Sequence, residues 1–281
     1  MMKTSYSILI AFLLGGYFLT FSACKGKGEN PCLNDGRVAN LLFSVNDDKT
    51  LGMQVRDQVV ADPEFNIVSR SLYPEAYQYL DVMRDYILAS GNVIHKDDFE
   101  WQIYIVENDE VQNAFVTPGG YMFFYTGLMK SLNSSSALAG VLGHEMAHAD
   151  RRHSIRQLTN LLGFDLILQI LLGEENAQIT QLVTAVIGLQ YSRSFETEAD
   201  KSSVHYLCTS PFDGRGAKFF FENLIAQGYD CTGAFFSTHP CPSNRVENIE
   251  DTFDCLSCDP ASSADQPIIG MTYSTFLSKL P

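Results

Sequence analysis

His144-Glu145-Met146-Ala147-His148 is the stretch on which the fold turns. Histidines four residues apart stand one turn apart on the same face of a helix. Ring nitrogens placed that way reach a single zinc ion at about 2.0–2.1 Å each. Glu145 follows the first histidine directly, so its carboxylate faces a water beside the metal rather than the metal itself. The pattern points to metal-activated water attacking a carbonyl, with Glu145 as general base. A helix-surface histidine pair with an unrelated glutamate is the ordinary alternative.

Working outward, Ser134, Ser135 and Ser136 supply a cap for a helix over 137–151, with Leu138, Val141 and Leu142 as its core stripe. Gly143 and Ala147 are small enough for substrate or another backbone to approach closely. Upstream, 101–106 alternates and is rich in β-branched and aromatic residues, as a strand requires. Two further short strands are expected over 113–117 and 121–125, with Pro118, Gly119 and Gly120 turning the chain between them. They form either plain core sheet or an edge on which an extended peptide pairs. Helical spacing recurs over 50–61, 74–89, 158–172, 179–189, 195–207 and 216–226, with Pro74 well placed at a first helical position. The segments 158–172 and 179–189 are apolar, but Asp165, Glu174 and Glu175 argue for buried helices over membrane spans. Periodicity is weak after residue 241. The fold class is therefore α+β and mainly helical, a zincin-type domain with a small sheet beside the metal helix.

A catalytic zinc takes three protein ligands and keeps one position open. Glu196-Thr197-Glu198-Ala199-Asp200 offers Glu196 as the third ligand. Asp200, one turn later, is placed to accept a hydrogen bond from the outer nitrogen of a ligand histidine. A solvated acidic helix start is the alternative. Thr238-His239-Pro240 and Arg245 bring a histidine and a cation from outside the metal helix, either to stabilise an oxyanion or as a surface turn before a helix starting near Ser243.

The residues together resemble the HtpX and CAAX-endoprotease type of gluzincin, which includes the mitochondrial inner-membrane protease Oma. The resemblance runs through Asn113-Ala114-Phe115, Pro118-Gly119-Gly120, Tyr125-Thr126-Gly127-Leu128, the histidine motif with Arg152-His153, Tyr191-Ser192-Arg193, the acidic segment and Ser237-Thr238-His239-Pro240 with Arg245. It implies one zinc ion per chain, with Glu196 as third ligand and Asp200 as the carboxylate backing a ligand. It also implies that His239 lies close to the metal, either assisting catalysis or filling the fourth position and holding the enzyme latent. The chain looks like the compact periplasmic members; Cys241 and the Cys-rich tail fall outside the family pattern.

The chain has 281 residues, 46% apolar and 19% charged, as a globular protein has. A net charge of −14 argues against nucleic acid as a partner, which needs clustered Lys and Arg. Lys3, the apolar run from Ile8 to Phe21, and Ser22-Ala23-Cys24 form a lipoprotein-type export signal, or else an ordinary signal or uncleaved anchor. The expected organisation is a signal peptide over 1–23, a tether over 24–46, a metallopeptidase domain over 47–255 and a tail over 256–281. Lipidated Cys24 would anchor the chain to a bacterial envelope membrane, facing the periplasm. Cys32, Cys208, Cys231, Cys241, Cys255 and Cys258 remain for disulfides in an exported chain, with no pairing fixed. Cys255 and Cys258 are either bonded to each other or ends of different bridges. The expected function is endopeptidase cleavage of misfolded envelope polypeptides; the alternative is a chaperone-like envelope assembly factor with a latent or structural zinc.

Overall fold

A computed structural model of the chain describes residue 32 and residues 42–173, 176–226, 228, 234–240, 244–261 and 265–281. The expected signal peptide, Cys24, most of the tether, Cys231 and Cys241 lie outside the described residues. The first helix, α1 (Val45–Ala61), is opened by a capping box in which Ser44 and Asp47 satisfy each other's backbone N–H. It starts five residues before the apolar pattern does, because Asp48 is buried and pairs with a distant arginine. Helix α2 (Pro74–Ala89) starts on its proline.

Strands β1 (Gln102–Val106), β2 (Ala114–Val116) and β3 (Tyr121–Tyr125) form one sheet in the order β1-β3-β2. β3 is parallel to β1 and antiparallel to β2. Gly119 and Gly120 turn the chain between β2 and β3 with φ of 75° and 88°, angles that side chains with a Cβ seldom adopt. Alternation carries the sheet between two cores. Ile103, Ile105, Met122 and Phe124 face the larger one, while Phe115, Tyr121, Phe123 and Tyr125 face the smaller.

After the short α3 (Thr126–Ser131) comes α4 (Ser135–Asp150), capped by Ser134, whose hydroxyl accepts from the Ala137 N–H. All sixteen residues of α4 are buried, against α8, α9 and the sheet. The stretch predicted as one helix over 158–172 is two, α5 (His153–Leu162) and α6 (Phe164–Leu171). Gly163, at φ 83° and ψ 156°, breaks it. There follow α7 (Asn176–Ile187), α8 (Arg193–Leu207), α9 (Gly216–Ala226), α10 (Ala234–Thr238), α11 (Arg245–Cys255) and α12 (Tyr273–Leu277). Helices α4 and α9 meet backbone to backbone: a Cβ on Gly140 would stand 2.0 Å from the Ala217 nitrogen. Among the described residues no helix is long and apolar enough to cross a membrane.

Cys32 bonds Cys255 and Cys208 bonds Cys258, so the two closely spaced cysteines are ends of different bridges. The final segment packs into the larger core. Phe276 stacks on Tyr79 of α2 at 4.3 Å, and the Tyr273 hydroxyl donates to the Met129 carbonyl at 2.6 Å.

Candidate metal centre

The histidine motif lies on α4, and its period brings the two Nε2 atoms to 3.0 Å of each other. Helix α8, capped by Ser192, delivers Glu196 in its first turn. The Glu196 carboxylate lies 3.3 Å from His148 Nε2 and 3.5 Å from His144 Nε2. His239, directly after α10, places Nδ1 3.2 Å from Glu196 Oε1 and 3.4 Å from His144 Nε2. All four side chains are buried, and one ligand atom from each lies within 4.8 Å of every other.

This donor set fits zinc. Four ligands at about 2.0–2.1 Å in a tetrahedron stand about 3.3–3.4 Å from one another. The contacts above, 3.0 to 3.5 Å, bracket that spacing. Three nitrogens and a carboxylate oxygen are also the ligand chemistry zinc takes. Both Glu145 carboxylate oxygens are buried and make no hydrogen bond, a cost that proteins rarely bear unless something else satisfies the group.

Glu145 is fully buried next to this cluster, with Oε1 at 3.3 Å from His239 Nε2. Burial raises its carboxyl above the ordinary range, against the pull of His239 and His144. It therefore takes up a proton more readily than a surface glutamate. Burial also pushes Glu196 up, but His239, Arg245 and the two α4 histidines outweigh it and hold that carboxyl well below its usual range.

The outer nitrogens of the two α4 histidines are held by different partners. His144 Nδ1 donates to Asp200 Oδ1 at 2.9 Å. Asp200 is gripped in turn by Arg245, Nε to Oδ2 at 2.7 Å and Nη2 to Oδ1 at 2.6 Å. Arg245 Nη1 reaches to 3.0 Å of Glu196 Oε2, and the guanidinium lies over the Phe221 ring. Arg245 is thus turned towards Asp200 and Glu196, behind the donors. His148 Nδ1 lies 3.1 Å from His153 Nδ1, and His153 Nε2 lies 3.1 Å from Glu198 Oε2. Tyr191 stacks on the His148 ring at 3.7 Å, its hydroxyl held by Ser154.

His144, His148, Glu196, Asp200, His239, Glu145 and Arg245, all singled out from the sequence, thus converge on one place. His153, Glu198 and Tyr191 also belong to this place, and no spacing in the sequence assigns them a role. His153 follows His148 by five residues, a spacing that leaves the ligand face of a continuous helix. Only Arg152, in the left-handed region at φ 57°, turns it back. β2 is an edge strand packed beside α4, and its three residues are buried.

A family model described as Peptidase family M48 matches residues 75–253. The chain is 32% identical over 158 residues to the mitochondrial metalloendopeptidase OMA1 of Arabidopsis thaliana, covering 56% of this chain and 32% of that one. Against the protein of the same name from Schizosaccharomyces pombe, identity is 31% over 186 residues, covering 64% and 54%. Against the beta-barrel assembly-enhancing protease of Yersinia pestis, identity is 26% over 280 residues, covering 91% and 55%. The chain spans between about a third and a little over half the length of these curated relatives.

Proposed function

The chain belongs to peptidase family M48, and on that premise we propose that it is a zinc-dependent endopeptidase acting on misfolded cell-envelope proteins. The observation that carries the reading is the convergence of His144, His148 and Glu196 beside the buried carboxylate of Glu145, which makes no hydrogen bond. Zinc held by those three residues supplies the charge that acidifies water and polarises a peptide carbonyl. Glu145 accepts the proton of the attacking water and hands it to the leaving amine. Asp200 holds His144 in the tautomer that presents Nε2, and Arg245 offsets the two carboxylates. An extended substrate pairs along the edge of β2, a mode that depends little on sequence and so suits unfolded chains.

His239 is read as a fourth donor and as a latch. Its Nδ1 lies with the donor atoms and its Nε2 against Glu145, so on this reading it stands where the attacking water has to sit. Substrate cleavage requires that ring to move. His239→Ala is expected to raise cleavage of an unfolded protein with zinc retained; a loss of cleavage with zinc retained would assign the ring to the chemistry instead.

The envelope location draws support from three sides. They are the export-type segment over 1–23, the bacterial relative named a beta-barrel assembly-enhancing protease, and two disulfides of the kind oxidising compartments allow. Lipidation of Cys24 would fix the chain to the membrane from the periplasmic side. The four-donor arrangement also favours a second reading, an envelope assembly factor with a closed zinc, because structural zinc sites have four protein ligands. Glu145→Gln separates the two. A peptidase keeps its zinc and loses about 10²–10⁴-fold in cleavage of an unfolded protein. Equal cleavage by both proteins, with zinc measured on each, would sink the peptidase reading.

A further inference from the structure

We propose that His153 and Glu198 are positioning residues that fix the tautomer and tilt of His148. The proposal rests on the reading of His144, His148 and Glu196 as the zinc donors. The three groups form a line: His148 Nδ1 to His153 Nδ1 at 3.1 Å, then His153 Nε2 to Glu198 Oε2 at 3.1 Å.

The carboxylate at the end of the line decides where the protons sit. An ionised Glu198 only accepts, so His153 Nε2 must carry the hydrogen and donate it. A neutral His153 then has a bare Nδ1, which accepts. His148 Nδ1 must therefore be the donor, and His148 Nε2 is left as a lone pair aimed at Glu196 and His144. The opposite assignment would set the His153 Nε2 lone pair against the Glu198 oxygens and put a hydrogen on the nitrogen that faces the donor cluster. A carboxylate two bonds removed thus holds the second ligand in its metal-binding form, as metal-ligating histidines generally need.

Packing holds the line in place. His153 is fully buried and stacks on Phe195 at 4.3 Å, and the Arg156 guanidinium also lies over that ring, at 4.5 Å. Tyr191 covers one face of His148. His153 comes back under His148 only because Arg152 takes a left-handed backbone conformation, which carries a cost for a residue with a Cβ. That cost is met by four hydrogen bonds from the Arg152 side chain. Two go to Asp48, at 2.6 and 3.0 Å, one to the Phe43 carbonyl at 2.8 Å and one to the Ser44 carbonyl at 2.9 Å. A buried histidine with two satisfied nitrogens is often no more than a core residue. Here it also meets the outer nitrogen of His148, and it ends on an acceptor that permits one proton arrangement of a neutral His153.

The test uses the full mature chain and compares His153→Phe, His153→Asn and Glu198→Ala. Phenylalanine keeps the ring stack but removes the acceptor; asparagine puts an oxygen where Nδ1 stands. Zinc affinity is measured by competition with a chromophoric chelator, and the ligand field by the visible spectrum of the cobalt-substituted chain. Unfolding of the metal-free proteins serves as the control for packing. His153→Phe is expected to weaken zinc about 10–100-fold and to shift the cobalt bands. His153→Asn should recover most of the affinity and the spectrum, and Glu198→Ala should show a smaller loss of the same sign. Wild-type affinity in His153→Phe, or asparagine no better than phenylalanine, would overturn the proposal. Should His153→Phe not fold, unchanged affinity and spectrum in Glu198→Ala would overturn it alone. A wild-type chain that takes up no zinc would instead refute the donor reading itself.

Discussion

Behind His144 stands a buried ion pair, whereas behind His148 stands a neutral ring that ends on a partly exposed carboxylate. The Asp200 and Arg245 side chains are 1% and 2% exposed, while that of Glu198 is 22% exposed. Both arrangements leave an Nε2 lone pair facing Glu196, but they hold it with different physics. Asp200 and Arg245 are taken wholly out of water, which is costly and repaid only by close, bidentate geometry. His153 and Glu198 bury only one charge in part and pass the constraint through a proton position. The first flank should be stiff and damaging to break. The second should be cheap to perturb and open to the solvent's ionic strength.

Breaking the first flank should give the largest effect. Arg245→Met leaves Asp200 and Glu196 without the cation that lies 2.6 and 3.0 Å from them. A buried pair broken on one side loses about 3–5 kcal/mol, read here from urea unfolding of the metal-free chain. Added zinc should return part of that loss by supplying positive charge at Glu196. A loss below about 1 kcal/mol would mean that the pair is no better than a surface salt bridge. Next in size is Asp200→Asn. It keeps an acceptor for His144 Nδ1 but removes the charge, and should weaken zinc about 10–100-fold in chelator competition. If Asp200→Asn binds zinc as the wild type does, charge has no part in the His144 flank, and the contrast between the two flanks collapses.

The contrast also explains what a reader of the sequence can and cannot see. His144 and His148 are legible because a single helical period puts them on one face. Glu196 and Asp200 are legible for the same reason, one turn apart on α8. The strands and α2 are legible from alternation and from Pro74. His153 is not, because its role depends on a left-handed residue, Arg152, and on an anchor more than a hundred positions upstream at Asp48. Asp48 itself looks like a solvated charge in a helix start, which is why the apolar pattern begins α1 too late. Gly163 divides an apolar run that periodicity treats as continuous. The last helix, α12, has five residues, too few for any period to register. Local spacing thus shows which residues share a face, but not which distant segment each face meets.

The smallest expected effect is the most discriminating. Glu198→Gln leaves an amide oxygen to accept from His153 Nε2 and removes the charge. If the second flank works through the proton position, the acceptor matters and the charge matters little. The partly exposed setting of Glu198 argues the same way, since its partner ring is neutral and water reaches the carboxylate and screens its charge. Zinc affinity in Glu198→Gln should therefore fall by less than the roughly 10-fold that marks the loss of a partner behind a metal-bound histidine. Raising the salt concentration should shrink the remaining difference, because screening acts on a charge that water reaches. The amide must be oriented oxygen-first for this to hold, and His153 Nε2–H selects that orientation because the opposite one sets two donors against each other. If Glu198→Gln weakens zinc as much as Asp200→Asn does, charge governs both flanks, and their difference in burial has no functional counterpart.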